Sequence, residues 1–431
     1  MFTPKLLTRR AISCAMALGV TAALGACSSH TDKTALPEDT TPVSPATGPT
    51  VDVWTIAGTT GVAGTPQVAA GVKVAFRYLN DHGGIGKNHQ RVEVKECDTQ
   101  TTPQGEIQCA QQAADDPIAI AVAAPQVFLA TQQVTTTLQN AGLPAVGGIA
   151  NTPSDYVNPI NFPLGTTNFG AAACAVMTAR AAKVDKLGFA TVDLPAPVDV
   201  ANDGIAAAKK AGLSAVGSVT FPITTTDVTP FVSQVGEKGS DATILTASPQ
   251  NVGAWLAAAA RLGKTRPTCV IDGLIPNQVL VGLGQQAKDF YAAAFVPDVS
   301  WPGIPLLDSF RRQADAETKS GDKAASLDAQ NNTELVLQGW IGAQAIQQGA
   351  ANVDGVLGRA NFLAALNQTT VKLGDGDGAL LPPVDFSKPN PDSRYTRLFN
   401  TQSFLKKWDP AKQAFTRVSD IAPVHGDQLV P

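Results

Sequence analysis

From Val51 onward the chain alternates short runs of two-residue, strand-like periodicity with longer stretches of helical periodicity, and that alternation is the signature of parallel α/β sheets. Val51-Asp52-Val53-Trp54-Thr55-Ile56 reads as a strand, a Gly-rich loop follows, and Thr65-Pro66 offers an N-cap with proline in the first turn. Val68, Val72, Ala75, Phe76 and Leu79 then share one helical face, and Gly83-Gly84 supplies a left-handed stop. The pattern predicts strands over 92–94, 118–124, 144–148 and 186–192 and near Val216 and Ile244, with helices over 130–141, 169–183 and 199–212.

The chemistry that often accompanies such sheets is missing. Gly58, Gly61 and Gly64 do not have the GxGxxG spacing of a dinucleotide fingerprint, and no GxxxxGK[ST] phosphate loop occurs. There is no G-x-S-x-G elbow and no H-E-x-x-H, so no catalytic residue, cofactor or enzymatic activity is expected. His30, His82, His89 and His425 show no metal-ligand spacing with the cysteines, so no metal is expected. Lys and Arg number 32 against 36 Asp and Glu, a formal charge of -4 that gives no basic field to hold nucleic acid.

The N-terminus reads as an export segment. Lys5, Arg9 and Arg10 precede an apolar run over 11–24, shorter than the roughly 20 residues a spanning helix needs, so residues 1–26 are expected to be a cleaved signal peptide. Leu24-Gly25-Ala26-Cys27 resembles the bacterial lipobox, which makes Cys27 the expected lipidation site. Thr8-Arg9-Arg10-Ala11-Ile12 loosely resembles a twin-arginine signal, so the export route stays open. Residues 27–49, rich in Thr, Pro, Ser and Asp, are expected to form a flexible tether.

Cleavage would remove Cys14 and leave four cysteines besides Cys27, an even number for an oxidising compartment. Cys97 and Cys109 flank a short polar loop between a strand and a helix and are expected to pair. Cys174 and Cys269 would pair by elimination, with two buried free thiols as the alternative.

Asn80-Asp81-His82-Gly83-Gly84-Ile85-Gly86-Lys87 resembles the N-x-x-G-G-I-x-G-[RK] segment of branched-chain amino-acid-type solute-binding proteins, of the class I periplasmic binding protein family. The resemblance continues at Cys97-Asp98, Asp115-Asp116-Pro117, Gly142-Leu143-Pro144-Ala145-Val146 and Thr226-Asp227-Val228-Thr229-Pro230. It extends through Gly239-Ser240-Asp241-Ala242, Pro383-Val384-Asp385-Phe386-Ser387 and Lys407-Trp408-Asp409-Pro410. It implies an α/β fold of two Rossmann-like lobes with parallel sheets, joined by three segments crossing near Phe162, Ala294 and Asp377. Residues 50–163 and 298–376 would form one lobe, and 164–297 and 377–431 the other.

It further implies a monomeric, lipid-anchored receptor on the outer face of the cytoplasmic membrane, closing on a small polar solute for an ABC permease. The alternative is a ligand-sensing lipoprotein that signals to a membrane partner. The solute would lie at the carboxyl ends of the strands. The contact candidates in those loops are Thr60, Gln126, Ala150, Asn151, Thr152, Asp193, Ser248 and Asp272, although residues there, such as Thr65, Asp199 and Asn251, also suit helix caps and turns.

This chain departs from the family pattern where amino-acid binders grip their ligand. Pro125-Gln126-Val127-Phe128 replaces a Ser-rich turn, Ala196-Pro197 replaces a Tyr-Gly, and Gly273-Leu274 stands where an ammonium-binding acid is expected. Asp193 and Asp272 are the nearest acids. An ammonium buried without its partner costs several kcal/mol, so the expected solute is less charged than an amino acid.

Overall fold

The computed structural model describes residues 41–60, 64–273, 275–328 and 330–418; the expected signal peptide and Cys27 lie outside them. Five parallel strands, β1 (Gly48–Ala57), β2 (Gln90–Asp98), β3 (Ala119–Ala123), β4 (Ala145–Val146) and β5 (Asn161–Phe162), form a first sheet in the order β2-β1-β3-β4-β5. Between them run α1 (Pro66–Asp81), α2 (Pro103–Asp115), α3 (Thr131–Asn140) and α4 (Pro153–Val157). Every residue of β3 is buried, as a central parallel strand covered on both faces requires. Of the apolar face expected of α1, Val68, Val72, Ala75 and Phe76 are buried and Leu79 partly so, and Gly83 and Gly84 stop the helix with φ of 100° and 71°. The chain is tied down before position 50: the N–H groups of Ser44 and Ala46 donate to Asp81 and Asn80 carbonyls, so the expected tether ends earlier than 49.

The second sheet begins after α5 (Thr167–Ala182) with β6 (Lys186–Val192), α6 (Pro195–Lys210), β7 (Ser214–Phe221), α7 (Thr229–Glu237) and β8 (Ala242–Thr246). It continues through α8 (Pro249–Arg261), β9 (Thr268–Ile271), α9 (Asn277–Leu283) and β10 (Phe290–Ala294). The chain then returns to the first sheet with α10 (Pro305–Ser320), α11 (Thr333–Ala351) and α12 (Arg359–Leu366). The hairpin of β11 (Phe404–Asp409) and β12 (Ala414–Arg417) finally adds antiparallel to β10, giving the order β12-β11-β10-β9-β8-β6-β7. These are the two lobes and the parallel α/β class that the sequence predicts.

One boundary differs from expectation. The third crossing is not near Asp377: Leu380, Leu381, Val384 and Phe386 are buried in the core of the first lobe. Phe386 packs on Phe162 with ring centroids 5.0 Å apart, and the Asn400 amide donates to the Leu164 carbonyl, so the chain leaves the first lobe only just before β11. This stretch has no long periodic element, and its scattered apolar residues gave no sign of which core they fill.

Both disulfides form, Cys97–Cys109 between the end of β2 and α2 and Cys174–Cys269 between α5 and β9. The first lobe is closed by a close crossing of α1 and α11, where a Cβ on Gly339 would stand 2.0 Å from the Val68 carbonyl oxygen and one on Gly71 1.9 Å from that of Val336. Backbone cannot give way as a side chain can. Gly339→Ala is therefore expected to lower stability by about 1–3 kcal/mol, whereas Gly282→Ala, with nothing within 4 Å, should be neutral; urea midpoints compare the two.

Candidate functional site

The carboxyl ends of β1 and β2 carry the first pair of facing loops. Asp98 accepts from the N–H groups of Thr59 (2.9 Å) and Gln100 (2.9 Å) and from the Thr60 hydroxyl (2.5 Å). Partial burial works against the charge, but the Thr60 hydroxyl and these N–H groups hold the Asp98 carboxyl down at about 2. Thr60 thus stands exposed in the loop after β1, fixed by the acid of the Cys97-Asp98 pair. Gln100, Thr101 and Ala124, all in loops at these strand ends, have φ of 52°, 54° and 44°, a backbone region that non-glycine residues rarely occupy and that functional loops often hold.

The loop between β3 and α3 is organised by Glu106 of α2. Its carboxylate is 1% exposed and accepts from the N–H groups of Phe128 (2.9 Å), Leu129 (3.0 Å) and Ala130 (2.6 Å), the turn that leads into α3. Gln126 is buried beside them, its N–H bonded to the Ile56 carbonyl at 2.8 Å. With its N–H groups turned inward, the loop leaves Phe128 and Leu129 45% and 41% exposed. No sequence spacing marks Glu106; it reads as one more polar residue of a helix.

After β4, Ala150, Asn151 and Thr152 lead into α4. Asp155 accepts from the Asn151 and Thr152 N–H groups, both at 3.0 Å, closing a capping box. Burial pushes the Asp155 carboxyl up to about 6 against the pull of these bonds. An acid bound more tightly to its proton in the folded chain costs stability as pH rises from its unfolded value near 4 through its folded value. Asp155→Asn should therefore lose less stability than the parent between pH 4 and 7, by up to roughly 2–3 kcal/mol, measured as paired urea titrations at each pH.

Between α3, α4 and the ends of β4 and β5 lies a pocket of about 40 Å³, part of it open to solvent. Ala150 lines it, with Val127, Val134, Leu138, Ile149 and Phe162, and its polar positions are Thr131, Thr135, Asp155 and Asn161.

The candidates of the second lobe have different surroundings. Asp193 is exposed beyond β6, its N–H bonded to the Phe221 carbonyl at 2.7 Å. Ser248 caps α8, its hydroxyl against the Asn251 side chain at 2.7 Å. Asp272, at the end of β9, is not an open ligand for a solute cation: it forms an ion pair with Lys406 of β11, which also meets Asp298 (3.2 Å) and Glu334 (3.6 Å). Burial alone would lower the Lys406 pKa, but these three carboxyl groups raise it. The Asn332 amide of the first lobe donates to the Gly273 carbonyl, so lobe meets lobe beside this cluster.

The structure therefore gathers Gln126, Ala150, Asn151 and Thr152 on adjoining loops of the first lobe, sets Thr60 on the loops beside them, and places Asp193 and Ser248 on the second. Among the described residues no group of His, Cys, Asp and Glu could hold a metal ion, and no helix is long and apolar enough to cross a membrane.

Residues 53–397 match a family model described as periplasmic binding protein. No curated protein matches the chain in sequence. Among solved structures, a possible leucine/isoleucine/valine-binding protein from Rhodopirellula baltica is 15% identical with a TM-score of 0.71, covering 87% of this chain and 98% of its own. A fatty acid ABC transporter substrate-binding protein from Thermomonospora curvata is 18% identical with a TM-score of 0.70, covering 91% and 97%. A solute-binding protein of an ABC transporter from Rhodopseudomonas palustris, in complex with p-hydroxybenzoic acid, is 16% identical with a TM-score of 0.69, covering 88% and 97%. At these identities the likeness establishes the fold, and each of these ligands belongs to its own protein.

Proposed function

Because the chain belongs to the periplasmic binding protein family, we propose that it is an extracytoplasmic lipoprotein that captures a small solute between its lobes and delivers it to an ABC importer. The observation that supports this reading is the strand arrangement: in both parallel-dominated sheets the candidate contacts lie on loops at the carboxyl ends of strands, where open α/β sheets bind ligands. The solute is held without any bond being broken, and closure of the lobes is what the permease would read. Ala150, Asn151, Thr152, Gln126 and Thr60 are the contacts proposed from the first lobe, and Ser248 and Asp193 those from the second. The pairing of Asp272 with Lys406 removes Asp272 from this set.

The test is thermal unfolding of residues 28–431, refolded to strip carried-over solute, against a broad library of amino acids, amides, sugars and organic acids. A specific ligand stabilises by about 2.7 kcal/mol at a hundredfold excess over Kd, a shift that is easily seen. A flat response throughout would end the receptor reading. The anchor is tested apart from binding: Cys27→Ser should release the protein from the membrane fraction, and retention there would refute lipidation at Cys27.

A further inference from the structure

We infer that Arg397 is the anion receptor of the solute site: its guanidinium takes a carboxylate of the bound solute, so the cargo is an organic acid. The inference rests on the receptor reading and names its class of solute.

Arginine is seldom buried without an acid beside it, because the interior repays the lost hydration of a charge only through a counterion and hydrogen bonds. Arg397 breaks that pattern. It is 6% exposed, its Nη2 is buried with no hydrogen-bond partner, and burial is the only influence on its pKa, lowering it to about 10 with no acid to raise it again. At neutral pH the group is still a cation. The acids nearby are engaged elsewhere: Asp392 pairs with Arg394 at 2.7 Å, and Asp155 accepts from the Asn151 and Thr152 N–H groups. A water molecule can satisfy an N–H group, but only an anion balances the charge.

The side chain is also fixed as a receptor needs to be. The Phe162 and Phe399 ring centroids lie 4.3 and 4.7 Å from the guanidinium carbon, Nε donates to the Asn161 carbonyl at 2.7 Å, and the backbone N–H donates to the Tyr156 carbonyl at 2.7 Å. Holding the group in place before binding spares the cost of ordering a long side chain, and a guanidinium offers paired N–H groups that match the two oxygens of a carboxylate. Its position suits a solute held between the lobes. Tyr395, on the same stretch, stands edge-on to Tyr156 of the first lobe at 5.1 Å and to Phe169 of α5 at 6.5 Å, and α5 packs on the second sheet. The Tyr156 hydroxyl in turn donates to the carbonyl of Ala150, one of the proposed contacts, at 3.2 Å. Arg397 lies just ahead of the third crossing, and bending of the crossings as the lobes part would open its free edge to an entering solute.

The first experiment sets carboxylates against their neutral amides at pH 7.5 on the solute-stripped protein: isovalerate and isovaleramide, benzoate and benzamide, and the organic acids of the broad library, with sodium chloride, sulfate and phosphate as inorganic anions. A carboxylate should raise the melting temperature and its amide should not. An amide that stabilises as well as its acid, a stabilising library member without a carboxylate, or a response to the inorganic anions alone overturns the class and leaves the receptor reading standing. Silence from every acid overturns the class, and silence from the whole library removes the receptor reading with it. Arg397→Met then tests the residue. It removes a charge that the fold does not balance, so the ligand-free melting temperature should stay level or rise, while affinity for the stabilising acid should fall roughly 10- to 100-fold. Arg397→Lys keeps the charge without the paired donors and should lose roughly 10-fold, which decides the matter should Arg397→Met not fold. Arg394→Met makes the same change of charge at an exposed site nearby and should bind as the parent does. Parental affinity in the Arg397 variants, or equal losses in Arg397→Met and Arg394→Met, would overturn the contact.

Discussion

Replacing Lys406 by Met is expected to lower the free energy of unfolding by about 3–5 kcal/mol, a large share of the stability of an ordinary domain. The ammonium is 1% exposed and sits among Asp272, Asp298 and Glu334. One cation cannot neutralise three carboxylates. The fold puts the strain of the excess on Glu334, where burial first and the Asp272 charge second raise the carboxyl well above its ordinary range. At Asp298 burial opposes ionisation, but the Lys406 ammonium and the Ser300 hydroxyl and N–H keep it below the usual value. Methionine has similar length and no charge, and would leave the buried acids around it without their cation.

The pH dependence of that variant follows with a definite sign. With the ammonium gone, Asp298 loses the charge that holds its carboxyl down while burial still pushes it up, so stability is recovered as pH falls and lost as pH rises. Lys406→Met should thus lie closest to the parent near pH 4 and farthest from it near pH 7. Adding Asp272→Asn and Asp298→Asn should restore most of the loss at pH 7, because a buried polar cluster without net charge lacks the penalty of an unpaired ion. Urea unfolding of the three proteins at several pH values measures all of this. A single variant as stable as its parent at pH 7 would show that the cluster is solvated and that its acids need no counterion.

This cluster also shows where sequence reading stops. The strand and helix pattern from Val51 to Ile244 was legible because each element carries its own period, and α1 displays its face and stop within twenty residues, although the Thr65 side chain makes no capping bond. Asp272, Asp298, Glu334 and Lys406 belong to four separated segments, and no local spacing joins them; the one visible oddity is a lysine within a strand beside Leu405 and Trp408. Glu106 was hidden for the same reason, since its partners are backbone N–H groups on another loop and leave no side-chain signature. The third crossing was misplaced because residues 377–403 lack periodicity. The loops of the site were legible as loops; what their donors already hold was not.

The Cys174–Cys269 bridge should contribute more stability than Cys97–Cys109. A cross-link stabilises chiefly by restricting the unfolded chain, and the restriction grows with the logarithm of the loop it closes. Sequence separations of 95 and 12 correspond to about 4–5 and about 3 kcal/mol in that treatment. Removing the pairs separately as Cys174→Ala/Cys269→Ala and Cys97→Ala/Cys109→Ala should reproduce the order in urea unfolding, with the longer loop the more damaging loss. Accessibility should follow the opposite order. Cys174 and Cys269 are 1% and 0% exposed, whereas Cys97 is half-buried at the end of β2, so dithiothreitol acting on the folded protein should open the short loop first. Mass spectrometry after alkylation reads that order, and equal rates would mean that the second lobe opens as readily as the first. A chain that depends on a buried bridge for several kcal/mol needs an oxidising compartment to keep it, which ties the internal chemistry of the second lobe to the export expected of the N-terminal segment.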